Sequence, residues 1–248
     1  MGIVSNLLEV KGLVKNFGGL MAVDNVDFYI EEGEFLGLVG PNGAGKTTAF
    51  NLVSGFLRPT EGKIIFNGRN LVGLKPHKIA SMGIIRTFQA STLFGNFTVG
   101  ENLDLSLHLK ARQKNSEDNS LFINELLDFF QLSMWKDSLG YDLPYGHQRM
   151  LGVAMAMAAE PKLLMLDEPL TGMDPKECMD MIRLLSTINK QGTTVLMIEH
   201  HVSEILESVG RIIVLSNGKK IADGLPKDVV QNKEVEEAYL GREEESIA

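Results

Sequence analysis

One eight-residue segment restricts the fold of this chain more than any other. Positions 40–47 read Gly-Pro-Asn-Gly-Ala-Gly-Lys-Thr, which matches the pattern G-x-x-x-x-G-K-[ST]. A β-type apolar run, 34–39, precedes the segment, and helical spacing follows it over 46–54. Small residues let backbone N–H groups turn inward around a phosphate, and the helix adds its positive end. The segment therefore predicts a nucleoside triphosphate site rather than a chance glycine-rich turn.

The polar side chains of this segment complete the predicted phosphate site. Lys46 is expected to reach the β- and γ-phosphates as a point charge, and the Thr47 hydroxyl suits a Mg²⁺ ligand. The motif alone does not distinguish kinases, GTPases and ATPases. The residues expected to bind the nucleotide from this segment are Gly40, Pro41, Asn42, Gly43, Ala44, Gly45, Lys46, Thr47 and Thr48.

A second element, an acidic pair, narrows the chemistry. The apolar run Leu-Leu-Met-Leu at 163–166 leads directly into Asp167, Glu168 and a proline. A buried strand of this kind places Asp167 to hold Mg²⁺ and Glu168 to orient or deprotonate an attacking water. Two surface acids after a strand are the alternative, but they would not need the apolar run. The pair predicts a hydrolysis centre.

Composition limits the class of protein. The 248 residues are 44% hydrophobic, enough for one domain or two tightly packed lobes. A net charge of −8 argues against a general nucleic-acid binder, which needs a basic face. The single cysteine, Cys178, excludes an intrachain disulfide and fits a reducing compartment. The longest apolar stretch, 151–159, is far short of the roughly 20 residues that span a bilayer, so we expect a soluble, cytoplasmic chain.

Periodicity predicts strands and helices that alternate around a helical middle, with a polar loop over 112–120. The fold class expected from this pattern is α/β with a helical insertion. Strands are predicted over 7–17, 26–30, 34–39, 62–66, 163–166 and 194–198, with a hairpin over 211–222. Helices are predicted over 46–54, 99–110, 121–130, 226–232 and 234–240, and from a capping box at Asp174 to Gly192.

Together these residues resemble the nucleotide-binding subunit of an ABC transporter, over nearly the whole chain. Further elements occur in the order of that family. Phe17 corresponds to the aromatic that stacks on adenine, and Val23 to the small apolar residue beneath it. Gln89 corresponds to the glutamine that reaches Mg²⁺ and the attacking water, and His200 to the histidine that contacts the γ-phosphate. Asp174 lies in the loop that crosses the dimer interface of the family.

The signature segment departs from the family pattern Leu-Ser-Gly-Gly-Gln. The five corresponding residues here are Leu143, Pro144, Tyr145, Gly146 and His147. Pro144 has neither a hydroxyl nor an N–H, so the donor that serves the partner's γ-phosphate in the family is absent. Removing one such donor costs roughly 10²–10³ in rate in other enzymes. The resemblance implies two composite sites in a head-to-tail dimer, and this departure predicts that the site built on this segment is slower.

The resemblance also implies the fold, the domains and the ligands. It implies a P-loop NTPase of ABC type, with a mixed sheet core, an N-terminal antiparallel β subdomain and an inserted helical subdomain. One ABC ATPase domain is expected over 1–241, with a helical subdomain over about 95–160 between catalytic parts at about 1–94 and 161–241, and an acidic tail at 242–248. ATP and Mg²⁺ are the expected cofactors. The expected catalytic residues are Glu168, His200 and Gln89, and the expected Mg²⁺ ligands are Thr47, Gln89 and Asp167.

The Tyr-Gly form of the signature most resembles the importers of branched-chain amino acids. That group implies a second, different ATPase subunit, two membrane-spanning permease subunits and, indirectly, an extracytoplasmic substrate-binding protein. The chain is then expected at the cytoplasmic face of the membrane, with no nucleic-acid partner. Leu93, Phe94, Phe97 and Val99 are expected to line or back the permease contact, and the alternative is that they belong to the core. A homodimer, a urea or amide importer, a lipid exporter and a soluble non-transport ABC ATPase are the alternatives. His201 has no predicted role, because adjacent strand residues point to opposite faces and rarely bind one metal ion.

Overall fold

Two β-sheets form the framework of the part of the protein that the structure describes. The computed structural model describes residues 6–87, 93–108, 116–200 and 205–240. An antiparallel sheet contains β1 (Asn6–Phe17), β2 (Leu20–Glu31), β4 (Glu61–Phe66) and β5 (Arg69–Asn70), in the order β2-β1-β4-β5. A mixed sheet contains β3 (Phe35–Val39), β6 (Ile84–Arg86), β7 (Leu163–Asp167), β8 (Thr194–Glu199), β9 (Arg211–Ser216) and β10 (Lys219–Gly224), in the order β10-β9-β3-β8-β7-β6.

The mixed sheet separates two hydrophobic cores. Along β7, Leu163 and Met165 join the core that includes the antiparallel sheet, whereas Leu164 and Leu166 join the core that includes the helices of the middle of the chain. All residues of β3, β7 and β8 are buried. Burial on both faces explains why these strands are continuous apolar runs rather than alternating patterns.

The helices surround this framework. Three of them, together with two 3₁₀ turns (Ser133–Trp135 and Gly140–Asp142), lie in sequence between β6 and β7 and form the helical part of the molecule. No helix among the described residues combines the length and the apolar character needed to cross a bilayer. The helices are α1 (Lys46–Val53), α2 (Pro76–Ser81), α3 (Val99–His108), α4 (Ser116–Phe129), α5 (Tyr145–Ala158), α6 (Pro175–Lys190), α7 (Pro226–Val229) and α8 (Lys233–Leu240).

The direction of the strands decides where a site can form. Strands β6, β7, β8, β3 and β9 run parallel, and only β10 pairs antiparallel, with β9. The carboxyl ends of the neighbouring strands β3, β8 and β7 therefore meet at one edge. The segments that follow these ends begin with Gly40, His200 and Glu168 respectively. Ligands of open α/β sheets bind at this edge.

The α/β expectation is confirmed, and several local predictions need correction. The predicted polar loop over 112–120 is wrong at its end, because α4 begins at Ser116. Strand β2 begins at Leu20 rather than Val26, since antiparallel pairing with β1 extends regular structure through residues 20–25, directly after the Gly18–Gly19 turn. The short elements β5, β6 and α2 carry too little periodicity to be recognised from the sequence.

Candidate functional site

Three side chains meet at the carboxyl edge of the mixed sheet. His200 Nε2 lies 2.7 Å from Glu168 Oε1, and His200 Nδ1 lies 3.4 Å from Lys46 Nζ. Lys46 and Glu168 are buried. The imidazole therefore stands between an amine and a carboxylate, with one ring nitrogen towards each, and it fixes the orientation of Glu168.

The loop after β3 holds Lys46 inside the site. Lys46 Nζ donates hydrogen bonds to Gly40 O at 2.5 Å and to Pro41 O at 3.2 Å. A Cβ at Gly40 would lie 2.1 Å from Leu215 O, so the loop passes too close to the neighbouring backbone for any other residue. Among the described residues, no side chain caps the first turn of α1. The first N–H groups of this helix therefore suit a phosphate.

Asp167 provides a carboxylate oxygen that fits a metal ion. It is buried, and its Oδ2 lies 3.7 Å from Arg86 Nη2. Within the described part of the chain, nothing donates a hydrogen bond to its Oδ1. Burial raises the pKa of Asp167, and the charge of Arg86 opposes this shift. Mg²⁺ prefers oxygen ligands, so this carboxylate and the exposed Thr47 hydroxyl fit the predicted ion.

Arg86 was missed by sequence reasoning as a part of the site. Its guanidinium lies between the rings of Phe50 and Phe56, with its central carbon 4.6 Å and 4.7 Å from their centroids. It also donates to Asn51 Oδ1 at 2.7 Å and to Ser54 Oγ at 3.0 Å. These contacts join the end of β6 to α1, behind the acidic pair. Its position three residues before the predicted Gln89 was the only sequence signal.

Tyr239 of α8 is a second residue that sequence reasoning did not assign. Its hydroxyl donates to the backbone oxygen of His200 at 3.1 Å. Burial raises the pKa of Tyr239 to about 12. The neutral hydroxyl is therefore maintained throughout the physiological range, and the C-terminal helix helps to position the histidine.

The two residues predicted to contact adenine have different environments. Phe17, at the end of β1, is 45% exposed, and Lys15 Nζ lies 4.8 Å from the centroid of its ring. Val23 is fully buried in the core beneath β1 and β2. The structure therefore leaves Phe17 accessible to a base and buries Val23 beneath the strand, and the predicted roles of both residues towards adenine stay predictions.

The signature residues form a second cluster, where α5 begins beside α6. Leu143 and Gly146 are buried, whereas Pro144 and Tyr145 are exposed. A Cβ at Gly146 would lie 2.4 Å from Glu177 Oε1, so a larger residue would have to displace the Glu177 carboxylate from its place between the two helices. His147 is half-buried, with its ring 5.7 Å from that of Trp135.

Asp174 is confirmed as the N-cap of α6. Its Oδ1 accepts hydrogen bonds from the backbone N–H groups of Lys176, at 2.8 Å, and Glu177, at 2.9 Å. Glu177 Oε2 accepts in return from the N–H of Asp174 at 3.0 Å. This reciprocal capping box leaves the predicted interface role of Asp174 untested. Gln89 and His201 lie outside the described residues.

Comparison with known proteins decides the family of this chain. The family model described as "ABC transporter" matches residues 23–171. This chain belongs to the ABC transporter family. This ABC ATPase is 37% identical to the high-affinity branched-chain amino acid transport ATP-binding protein BraF of Pseudomonas aeruginosa, and 38% identical to LivG of Escherichia coli. Each match covers 95% of this chain and 98% of the relative.

Other ABC proteins match over similar lengths. The lipopolysaccharide export system ATP-binding protein LptB of Haemophilus influenzae is 34% identical, over 96% of this chain and 98% of its own. The crystal structure of the ADP conformation of MJ1267, an ATP-binding cassette of an ABC transporter, superposes with a TM-score of 0.86 at 28% identity, over 96% of this chain and 99% of that one. The predicted ABC-type fold is confirmed, and the chain is an ATPase that binds ATP.

Proposed function

We propose that this ABC ATPase powers the import of branched-chain amino acids through separate membrane subunits. The observation that carries the proposal is the match to BraF and LivG, which is near 38% identity and extends over 98% of their lengths. Both relatives are named for transport of these amino acids. The Tyr-Gly form of the signature at 145–146 supports the same assignment.

The geometry supports a separate role in ATP hydrolysis for each side chain of the site. Lys46, which bonds loop carbonyls here, is placed to exchange these partners for the β- and γ-phosphates. Glu168 orients the attacking water, and His200 holds Glu168 and contacts the γ-phosphate. Thr47, Asp167 and Gln89 are the proposed ligands of Mg²⁺, which neutralises phosphate charge when it is bound.

In the proposed dimer, this chain contacts two nucleotides, its own ATP and the ATP of the second subunit. Phe17 stacks on adenine, since its ring is accessible and such a contact contributes about 1–3 kcal/mol. The signature segment at 143–147 and Asp174 face the nucleotide of a second ATPase subunit. We propose a heterodimer, because the irregular signature of this chain then affects only one composite site, while Lys46, Asp167 and Glu168 face the signature of a different subunit.

A pair of exposed aromatic rings supports contact with the permeases. Phe94 and Phe97 are 48% and 44% exposed, and their stacked rings lie 5.6 Å apart. Leu93 and Val99, which were also expected near this contact, are buried and belong to the core. The proposed contact is thus narrower than the sequence suggested. This contact holds the ATPase at the cytoplasmic face of the membrane. The ATPase does not touch the substrate-binding protein, which is extracytoplasmic.

A second candidate function is the export of a lipid. The match to LptB favours it, since 34% identity over 96% of this chain is only slightly below the matches to BraF and LivG. The residues proposed for ATP hydrolysis would have the same roles in either transport system. The membrane partner and its cargo decide between the two.

Reconstitution with the membrane subunits that co-purify with this chain tests the proposal. The purified complex is placed in lipid vesicles with ATP on the side of the ATPase, and uptake of labelled leucine, isoleucine and valine is measured together with phosphate release. We expect uptake that depends on a substrate-binding protein and disappears with Glu168→Gln. Uptake of urea instead, movement of lipopolysaccharide, or purification without any membrane subunit would contradict the branched-chain assignment.

The same complex tests the proposed inequality of the two ATP sites. Replacing the catalytic glutamate by glutamine in one subunit at a time inactivates one composite site at a time. We expect a larger loss of ATP hydrolysis from Glu168→Gln than from the equivalent change in the second subunit, whose site uses the irregular signature. Equal losses would contradict the inequality.

A further inference from the structure

The hydroxyl of Tyr145 joins the signature segment to the loop before α6. Tyr145 Oη donates a hydrogen bond to the backbone oxygen of Thr171 at 3.0 Å. It accepts one from Arg149 Nε at 2.9 Å. Arg149 also lies over the ring of Tyr145, with its central carbon 5.1 Å from the centroid. The side chain at the first glycine position of the usual signature is therefore turned towards this chain's own loop.

The loop contacted by Tyr145 leads directly to the catalytic carboxylate. The backbone N–H of Thr171 donates to Glu168 O at 3.3 Å. The N–H of Leu170 donates to Glu199 Oε1 at 3.1 Å, which anchors the start of the loop to the end of β8. Two hydrogen bonds through one residue, Thr171, thus separate Tyr145 from the backbone of Glu168.

The shape of the loop fits the tyrosine ring. Gly172 has a φ of +82°, and a Cβ there would lie 3.1 Å from Tyr145 Cε1. A side chain at this position would be strained by the backbone and pressed against the ring. The ring and Gly172 therefore pack together, and the hydroxyl is held at the carbonyl of the preceding residue.

We propose that Tyr145 is a positioning residue that couples the two ATP sites through Thr171. The argument rests on the proposed dimer, in which the signature segment serves the partner's ATP while Glu168 serves this chain's own. A movement of the signature segment towards the partner's nucleotide displaces Tyr145, and the hydrogen bond to Thr171 transmits that movement to the loop behind Glu168. Tyr145 thus gives the irregular signature a role in positioning, where the usual serine acts as a donor.

Hydrogen exchange of the isolated chain tests the bridge without any partner. Tyr145→Phe removes the hydroxyl and keeps the ring against Gly172 and Arg149. We expect the amides of Thr171 and Met173 to exchange about three- to tenfold faster, because Thr171 O loses its hydrogen bond from Tyr145 and keeps only the longer one, of 3.5 Å, from Arg149 Nη2. Tyr29→Phe is the matched control, because Tyr29 is an exposed tyrosine on β2, outside both clusters. Unchanged exchange at residues 170–173 in Tyr145→Phe overturns the proposal.

Turnover of the reconstituted complex tests the coupling itself. We expect Tyr145→Phe to lower kcat by about three- to tenfold at an unchanged KM for ATP, since no contact with this chain's own nucleotide is removed. A purely structural role would lower the melting temperature and leave kcat per folded complex unchanged, and this result also overturns the proposal. An inactive wild-type complex would contradict the proposed function instead, and the exchange measurement on the isolated chain still decides the bridge.

Discussion

The two functional clusters of this chain differ in how they are built. The proposed catalytic cluster of Lys46, Glu168 and His200 lies at the buried edge of the mixed sheet, where each side chain has a partner within the cluster. The signature cluster lies at an exposed helix start, where Tyr145 is 44% exposed and contacts a neighbouring loop. The first cluster is organised within this chain, whereas the second lies on a surface that, in the proposed dimer, a partner completes.

This difference has a physical basis. Hydrogen bonds and charge interactions are stronger where water is excluded, so a buried cluster keeps its geometry without help. An exposed cluster gains less from each bond and depends on packing against a second body. Substitutions in the catalytic cluster should therefore act mainly on chemistry, and substitutions in the signature cluster should act mainly on stability and coupling.

The largest expected effect is that of Lys46→Ala. It removes the buried cation that lies within the phosphate loop, so we expect loss of ATP binding and no detectable phosphate release. Binding is measured with a fluorescent ATP analogue and turnover by phosphate release. Lys63→Ala, at an exposed position of β4, is the control and should behave as wild type. Normal turnover in Lys46→Ala would show that the cluster of Lys46, Glu168 and His200 does not hydrolyse ATP.

Glu168→Gln separates binding from chemistry. The amide keeps the size of the carboxylate and loses its ability to accept a proton, so we expect normal ATP binding with turnover lowered by about 10²–10⁴-fold. The unhydrolysed nucleotide should hold the subunits as a closed dimer, visible by size-exclusion chromatography in the presence of ATP. Rapid turnover without such a dimer would show that another group activates the water.

A pair of glycine substitutions on α5 tests the signature cluster. Gly146→Ala places a methyl group 2.4 Å from Glu177 Oε1, so we expect it to displace the capping box and cost about 1 kcal/mol of unfolding free energy. Gly152→Ala, on the same helix with open space around it, should stabilise by about 0.5–1 kcal/mol. Urea unfolding of both variants measures the contrast. Effects of the same sign would mean that the approach of α5 to α6 is not tight.

The smallest expected change in stability concerns the buried Asp167. Burial raises the pKa of Asp167 above its unfolded value, so the native state is disfavoured as pH rises through this range and the carboxylate ionises. We expect Asp167→Asn to abolish turnover yet raise the melting temperature of the isolated chain at pH 7 by about 2 °C. This gain in melting temperature should become smaller as pH falls towards 4, because the Asp167 carboxyl of the wild type is then protonated. Asp180→Asn, in an exposed pair with Arg183, should show no such gain.

Local patterns of the sequence predicted much of the catalytic cluster. The loop at 40–47, the acidic pair after 163–166 and the capping box at Asp174 each lie within a few consecutive residues, and the structure places them in the expected strand–loop–helix contexts. The domain boundaries and the roles of the site residues stay predictions. Strand β6 was missed because pairing with the distant β7, rather than local periodicity, orders it. Strand β5 was missed because its two residues are too few to show a period.

Contacts between distant residues were decided only by the tertiary structure. The sequence by itself determined that the chain is an α/β protein with a phosphate loop and an acidic pair, because those features depend on adjacent residues and on strand and helix periods. It did not place Arg86 between two aromatic rings, bury Val23 or join Tyr145 to Thr171. The residues of each such contact are separated by tens of positions or lie on different elements. Their meeting depends on which strands pair and how helices pack, and no local period of the sequence contains that information.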